Sequence, residues 1–230
     1  MLKASVQLPL CLTAFFFEVV FANSCKAETL DPELWVFTHL FLERSNEREV
    51  SISFHGRAHE LDSPTLYQIQ PRFAVPVTKW LWGGVNYSFF GIRQTGDAVE
   101  DEDLFTNQHR LEGELNLRLL LSDSIRYVGR NRIEHLLDDT FDEVNNRYRH
   151  RSQFVIDGVL PQRVGIVSQI EVFHDFGVGR INQTRTAPFG VRFPLFGTTM
   201  QVQPMLIHLH RPGEGWATRA VANVEFTAEF

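Results

Sequence analysis

The feature that most constrains this chain is a strict alternation of polar and apolar side chains over runs of about ten residues. In "QHRLEGELNLRLLL", Gln108, Arg110, Glu112, Glu114, Asn116 and Arg118 share one face of an extended strand. Leu111, Gly113, Leu115, Leu117, Leu119 and Leu121 share the other. The same period runs through "SIRYVGRNRIEHL" and "RYRHRSQFVIDG", and through Val50–Arg57 and Tyr67–Phe73. It also governs the C-terminus, where Ala220, Ala222, Val224, Phe226, Ala228 and Phe230 oppose Arg219, Asn223, Glu225, Thr227 and Glu229. No helical period orders these residues as well.

A soluble sandwich alternates too, so the placement of charge has to decide between the two. Consecutive strands carry ladders of arginine and carboxylate on one face, while the opposite faces are apolar with aromatics near the strand ends. Spans of about ten residues with an apolar outer and a polar inner face characterise outer-membrane barrels. Ring closure pairs every backbone group without water, as hydrocarbon demands. Tight turns are expected near Thr78, at Ser122–Asp123, at Pro161–Gln162 and at Phe196–Gly197. Longer or acidic loops alternate with them, such as "QTGDAVEDEDLFT" and "DDTFDEVNN". Ten spans follow from Glu49 onward; Leu34–Leu42 adds either an eleventh strand with an undetected twelfth, or a segment outside the ring. The expectation is an all-β chain, an antiparallel transmembrane β-barrel of ten to twelve strands with a polar, arginine-rich interior.

The remaining composition fits that reading. The 230 residues suit a single barrel, and a formal net charge of −6 argues against a nucleic-acid partner. Residues 1–27 read as a signal peptide: Lys3, then an apolar run to Ala22, with cleavage after Ala22 or Ala27. Residues 28–230 form the barrel. Cleavage after Ala27 removes both cysteines, Cys11 and Cys25, which suits export through an oxidising periplasm. The expected location is the bacterial outer membrane, with outer-membrane lipid and the barrel assembly machinery as partners. Phe226 and Phe230 are the expected assembly signal, and oligomeric state is left open.

Three groups of residues invite a chemical reading. Arg110, Arg118, Arg126, Arg130, Arg132, Arg147, Arg149 and Arg151 are expected inside with Glu112, Glu114, Glu134 and Asp157. Paired across neighbouring strands they would fill a narrow lumen; left open they would select anions or small solutes. The acidic loop Asp97, Glu100, Asp101, Glu102, Asp103 lacks the glycine and spacing of an EF-hand and reads as a solvated charge run. His150 and Ser152 share the lipid face of one strand. A hairpin pairing Asn131 with Ser152 would gather a Ser, a His and an Asn near the external rim. That grouping resembles the lipid-facing site of outer-membrane phospholipase, in which His activates Ser, although that enzyme's surrounding sequence is absent. The sequence therefore supports a structural or narrow-pore barrel, with a lipid-modifying enzyme as the alternative. No Gly-rich phosphate loop or metal-spaced Cys/His set occurs, so no cofactor or metal is expected.

Taken together, "LW" near the start, "QHRLEGEL", "RNRIEH", "NRYRHRSQF", "EVFHDF" and "NQTR" resemble a family of uncharacterised bacterial outer-membrane β-barrel proteins catalogued as a domain of unknown function. The resemblance spans roughly residues 28–230. Leu136 and Gln183 stand where that family often carries arginine. It implies an outer-membrane barrel and no established activity.

Overall fold

Because each strand has two unlike faces, bending the sheet until its edges meet puts one face inside and the other outside. The computed structural model describes residues 33–59, 63–93, 105–137, 146–160, 164–211 and 215–229. Eleven strands follow in order: β1 (Glu33–Arg44), β2 (Glu49–His59), β3 (Ser63–Pro76), β4 (Leu81–Arg93), β5 (Phe105–Leu120), β6 (Ile125–Leu136), β7 (Arg147–Leu160), β8 (Val164–Asp175), β9 (Arg180–Leu195), β10 (Thr198–Arg211) and β11 (Gly215–Glu229). Each pairs with its sequence neighbours, and β1 closes the ring against β11. Among the described residues no helix is long and apolar enough to cross a membrane, which leaves crossing by strands untouched.

The sheet is mixed, which corrects the expectation of a wholly antiparallel barrel. β1 runs parallel to β11, with Glu33 opposite Val221 and Phe41 opposite Glu229. An up-and-down ring with an odd number of strands forces its first and last strands to run the same way. The segment Leu34–Leu42 is thus the eleventh strand, within the ring, and it needs no twelfth partner.

Local chemistry explains the short connections at one rim. Ser45, Thr78 and Ser122 each open a turn, and each hydroxyl accepts hydrogen bonds from backbone N–H groups two and three residues on. The β9–β10 hairpin turns through Phe196 and Gly197 alone, with φ of 49° and 79°. Two positive φ values in a two-residue loop suit the twist of the flanking strands, but a phenylalanine there is strained. Its ring is 97% exposed. The turn expected at Pro161–Gln162 lies outside the described residues, as do Phe230 and the acidic loop of Asp97 and Glu100 to Asp103.

The two faces separate as the alternation requires. Leu111, Leu115, Ile133, Phe154 and Ile170 are exposed on the outer surface, while Glu112, Glu114, Arg132, Glu134 and Glu171 are buried. Phe226 falls on the outer face, paired with Met200 of β10 and Thr38 of β1. The interior is not uniformly polar. Trp35, Ala187, Met205, Ile207 and Val221 form a buried apolar cluster against which Phe37 packs. One side of the barrel thus carries an apolar cluster, set among the buried amides of Gln201, Gln203 and Asn223, and the other is dominated by ions.

Candidate functional site

The charged side is built by β5 to β8, and its register puts like charges side by side. Glu112 faces Glu134, Arg132 faces Arg149, and Arg130 faces Arg151. Directly opposed like charges repel, so such rungs persist only when neighbouring rungs and strands supply counter-ions. Arg132 does this for two carboxylates, reaching Glu112 at 2.5 Å and Glu114 at 3.1 Å. Glu134 gathers Arg110 at 3.1 Å, Arg149 at 3.4 Å and Arg147. Glu171 takes Arg149 at 2.6 Å, Arg185 at 3.5 Å and Arg130 at 3.6 Å.

A second knot lies nearer the short-turn rim. Glu49 receives both terminal nitrogens of Arg118 at 2.6 Å, Arg72 at 3.0 Å and Arg44 at 3.4 Å. Arg72 also reaches Glu114 at 2.5 Å, tying the two knots together. Asn86 and Asn116 donate further hydrogen bonds to Glu114 at 3.1 and 2.8 Å. Arg126 and Asp157 pair at 2.5 Å, both around two-fifths exposed at that rim.

Of the residues singled out by sequence, Glu112, Glu114 and Arg132 join a network that runs through Arg72 to Glu49, while Arg110, Arg130, Glu134 and Arg149 join a second one through Glu171. Arg151 stands among them but makes no ion pair with any described residue, although Glu171 lies directly across from it. Arg57 and Arg72, outside the ladder named from sequence, belong to the interior too, and so do Arg185, Glu33, Glu49 and Glu171, which were not anticipated there. The signal for Arg57 and Arg72 was present, since both fall on the polar phase of their strands. Glu171 was masked because Val167 and Phe173 share its inward face.

Several guanidinium groups are also covered by aromatic rings, and Arg57 has a ring where the others have a carboxylate as well. Arg57 and Arg185 lie 3.9 and 4.8 Å from the Trp35 ring centre. Arg185, Arg147 and Arg149 lie 4.4, 4.8 and 5.0 Å from that of Phe173. Cation–π attraction strengthens when the pair is shielded from water. Trp35, from the apolar side of the lumen, thus covers the one of these arginines, Arg57, that makes no ion pair with a described residue.

Two cavities occupy the lumen, of about 90 and 440 Å³. Leu119, Leu120 and Arg126 place the larger at the short-turn rim. Arg130, Arg132 and Arg151 line both, together with Glu225, and so stand where the two adjoin.

On the outer wall, Asn131, His150 and Ser152 come together. His150 Nδ1 lies 2.9 Å from Asn131 Oδ1, and His150 Nε2 lies 2.9 Å from Ser152 Oγ. With the proton on Nδ1, His150 donates to Asn131 and accepts from the Ser152 hydroxyl. Tyr148 donates to the same Asn131 oxygen at 2.6 Å, and Tyr127 Oη sits 3.1 Å from Ser152 Oγ. The register differs by two residues from the pairing considered above: His150, not Ser152, faces Asn131, and Ser152 faces Gly129. The group sits in mid-strand, not at the rim. Leu115 and Leu117 flank it on β5, Val172 and Ile170 on β8. Among the described residues no three His, Cys, Asp or Glu side chains are grouped to hold a metal.

No family model matches the chain, and no curated protein or solved structure is similar to it.

Proposed function

We propose that this chain is an integral outer-membrane β-barrel, exported through residues 1–27, whose arginine-rich lumen makes it a structural barrel or at most a narrow anion path. The single observation that carries this is the division of a closed ring into an exposed apolar outer wall and an ion-paired interior. An outward belt of Leu, Ile and Phe suits hydrocarbon, and the closed ring leaves no unpaired edge within it. The resemblance to uncharacterised outer-membrane barrels agrees and forms part of the same proposal. Outer-membrane lipid and the assembly machinery are the expected partners, with Phe226 and Phe230 as the assembly signal in the sequence.

The ion pairs that fill the lumen between Arg72, Glu114, Arg132, Arg149 and Glu171 argue against a wide channel. Cell fractionation should find the protein in the outer membrane as a heat-modifiable band. Reconstituted in planar bilayers it should give little steady conductance. Large, stable, anion-selective currents would discard the occluded reading; recovery in the soluble fraction would discard the membrane reading altogether.

The hydrogen-bonded series Asn131–His150–Ser152 favours a second reading, a lipid-modifying enzyme working on the outer wall. Ser152 Oγ would attack the carbonyl carbon of an acyl ester while its proton passes to His150 Nε2. His150 would then give that proton to the departing alcohol, and water would hydrolyse the acyl-serine. Asn131 would hold the imidazole in the required tautomer. Purified barrel should then release fatty acid from phospholipid vesicles, and Ser152→Ala should abolish release while the heat-modifiable band persists. No release by the wild type ends this reading.

A further inference from the structure

We propose that the smaller lumen cavity is an anion site that takes one tetrahedral oxyanion of the phosphate class. This rests on the reading of the lumen as a closed compartment and gives that compartment an occupant.

The first observation is an imbalance of charge. Eight arginines line the smaller cavity against three glutamates, Glu112, Glu171 and Glu225. Glu114 and Glu134 reach some of the same arginines from just beyond the lining, and three positive charges still remain in excess. The second observation locates part of that excess. Arg57 and Arg151 make no ion pair with any described residue, and Arg130 has only the 3.6 Å approach to Glu171. The third concerns donors without acceptors: the Nε groups of Arg130 and Arg151 are buried with no hydrogen-bond partner.

Physical chemistry narrows what can answer this. A buried histidine or lysine can shed its proton, but arginine stays charged, so the imbalance calls for an incoming negative charge. Water can accept from the orphaned Nε groups but brings no charge. Arginine presents several N–H groups in a planar fork, which fits an ion bearing several oxygens better than a single spherical ion. A cavity of about 90 Å³ holds a small oxyanion, and it shares part of its lining with the larger cavity at the short-turn rim. The rings of Trp35 and Phe173 hold Arg57 and Arg185 in place beforehand, which limits the ordering needed on binding.

The test is the thermal midpoint of the compact band, followed in detergent on the full barrel, with ionic strength set by a bulky sulfonate. Inorganic phosphate should raise the wild-type midpoint in a saturable manner, as any ligand that binds only the folded state does. Glycerol 3-phosphate, a stand-in for a lipid headgroup, is the second probe: a response to both identifies a monoester, a response to phosphate alone a free ion, and either supports the site. Arg151→Gln should weaken the phosphate response at least about tenfold. Without phosphate the same variant should melt at or above the wild-type midpoint, because it removes a repelled charge. Arg48→Gln, in an exposed short turn, should leave the response intact. Equal phosphate responses in wild type and Arg151→Gln, or none from either probe, overturn the site. A phosphate-responsive barrel found outside the outer membrane would instead sink the membrane reading and leave the site standing.

Discussion

The lumen wall made by β5 to β8 and the wall made by β1 and β9 to β11 face each other across the same barrel but are built on opposite principles. The first stacks Glu112 beside Glu134 and Arg132 beside Arg149, and survives through ion pairs that run between rungs. The second packs Trp35 against Met205, Ile207 and Val221 as an ordinary hydrophobic core does. A strand's inward phase is therefore not a polar phase by rule. Where carboxylates are plentiful, arginine pairs with them; where they run out, aromatic rings take over, as Trp35 does for Arg57. Stability on the charged side depends on a few shared acids, and on the apolar side on volume.

The comparison breaks most sharply at those shared acids. Glu171 is 1% exposed and serves three arginines, so Glu171→Gln should cost about 3–5 kcal/mol, read from reversible unfolding in lipid vesicles. Glu114→Gln should behave alike, since Glu114 holds both Arg72 and Arg132. A neutral result at both would mean that the interior is wet and its pairs screened. On the apolar side, Trp35→Ala should cost about 3 kcal/mol through lost contacts and the cavity left behind, and should also loosen Arg57 and Arg185. A loss below that of a single buried methylene would show that the apolar cluster is not a core.

Contrasting the inside with the outside sharpens the picture further. Leu115→Arg should cost about 2–4 kcal/mol if that outer position meets hydrocarbon near mid-membrane. Asn116→Arg, one residue along and 4% exposed within the interior, already has Glu114 as a hydrogen-bond partner and should cost less. Equal penalties in vesicles would reject the assignment of faces. The smallest effect belongs at the rim, where Arg126 and Asp157 are 40% and 43% exposed. A double-mutant cycle there should return a coupling of about 0–1 kcal/mol, falling further as salt is added.

Much of this was open to a reader of the sequence, because period two is a statement about faces. It assigned Leu115 and Asn116 to opposite sides, and it located the turns at Thr78, Ser122 and Phe196–Gly197. It could not tell which strand lies next to β1, since alternation carries no information on direction; the parallel pairing with β11 follows only once the strands are counted at eleven. Nor could it fix register. Sliding the β6–β7 pairing by two residues leaves every side chain on its own face while exchanging Ser152 for His150 opposite Asn131. The unpaired state of Arg151 is likewise a matter of three strands at once, because Glu171 is drawn away by Arg149 and Arg185.

The parallel seam between β1 and β11 shapes how such a ring can come into being. Every other pairing joins strands that are adjacent in sequence and can zip from a loop. The seam instead brings together Arg44 and Glu229, which are 185 residues apart. Closing so long a chain costs roughly 3 kcal/mol more in loop entropy than closing a hairpin. Contacts of that separation form late, so ten neighbouring pairings precede the eleventh. Until it forms, the molecule is an open sheet with two bare edges, able to add a strand from another chain. The time spent in that state, set by how fast β1 finds β11, then decides between a finished ring and an aggregate.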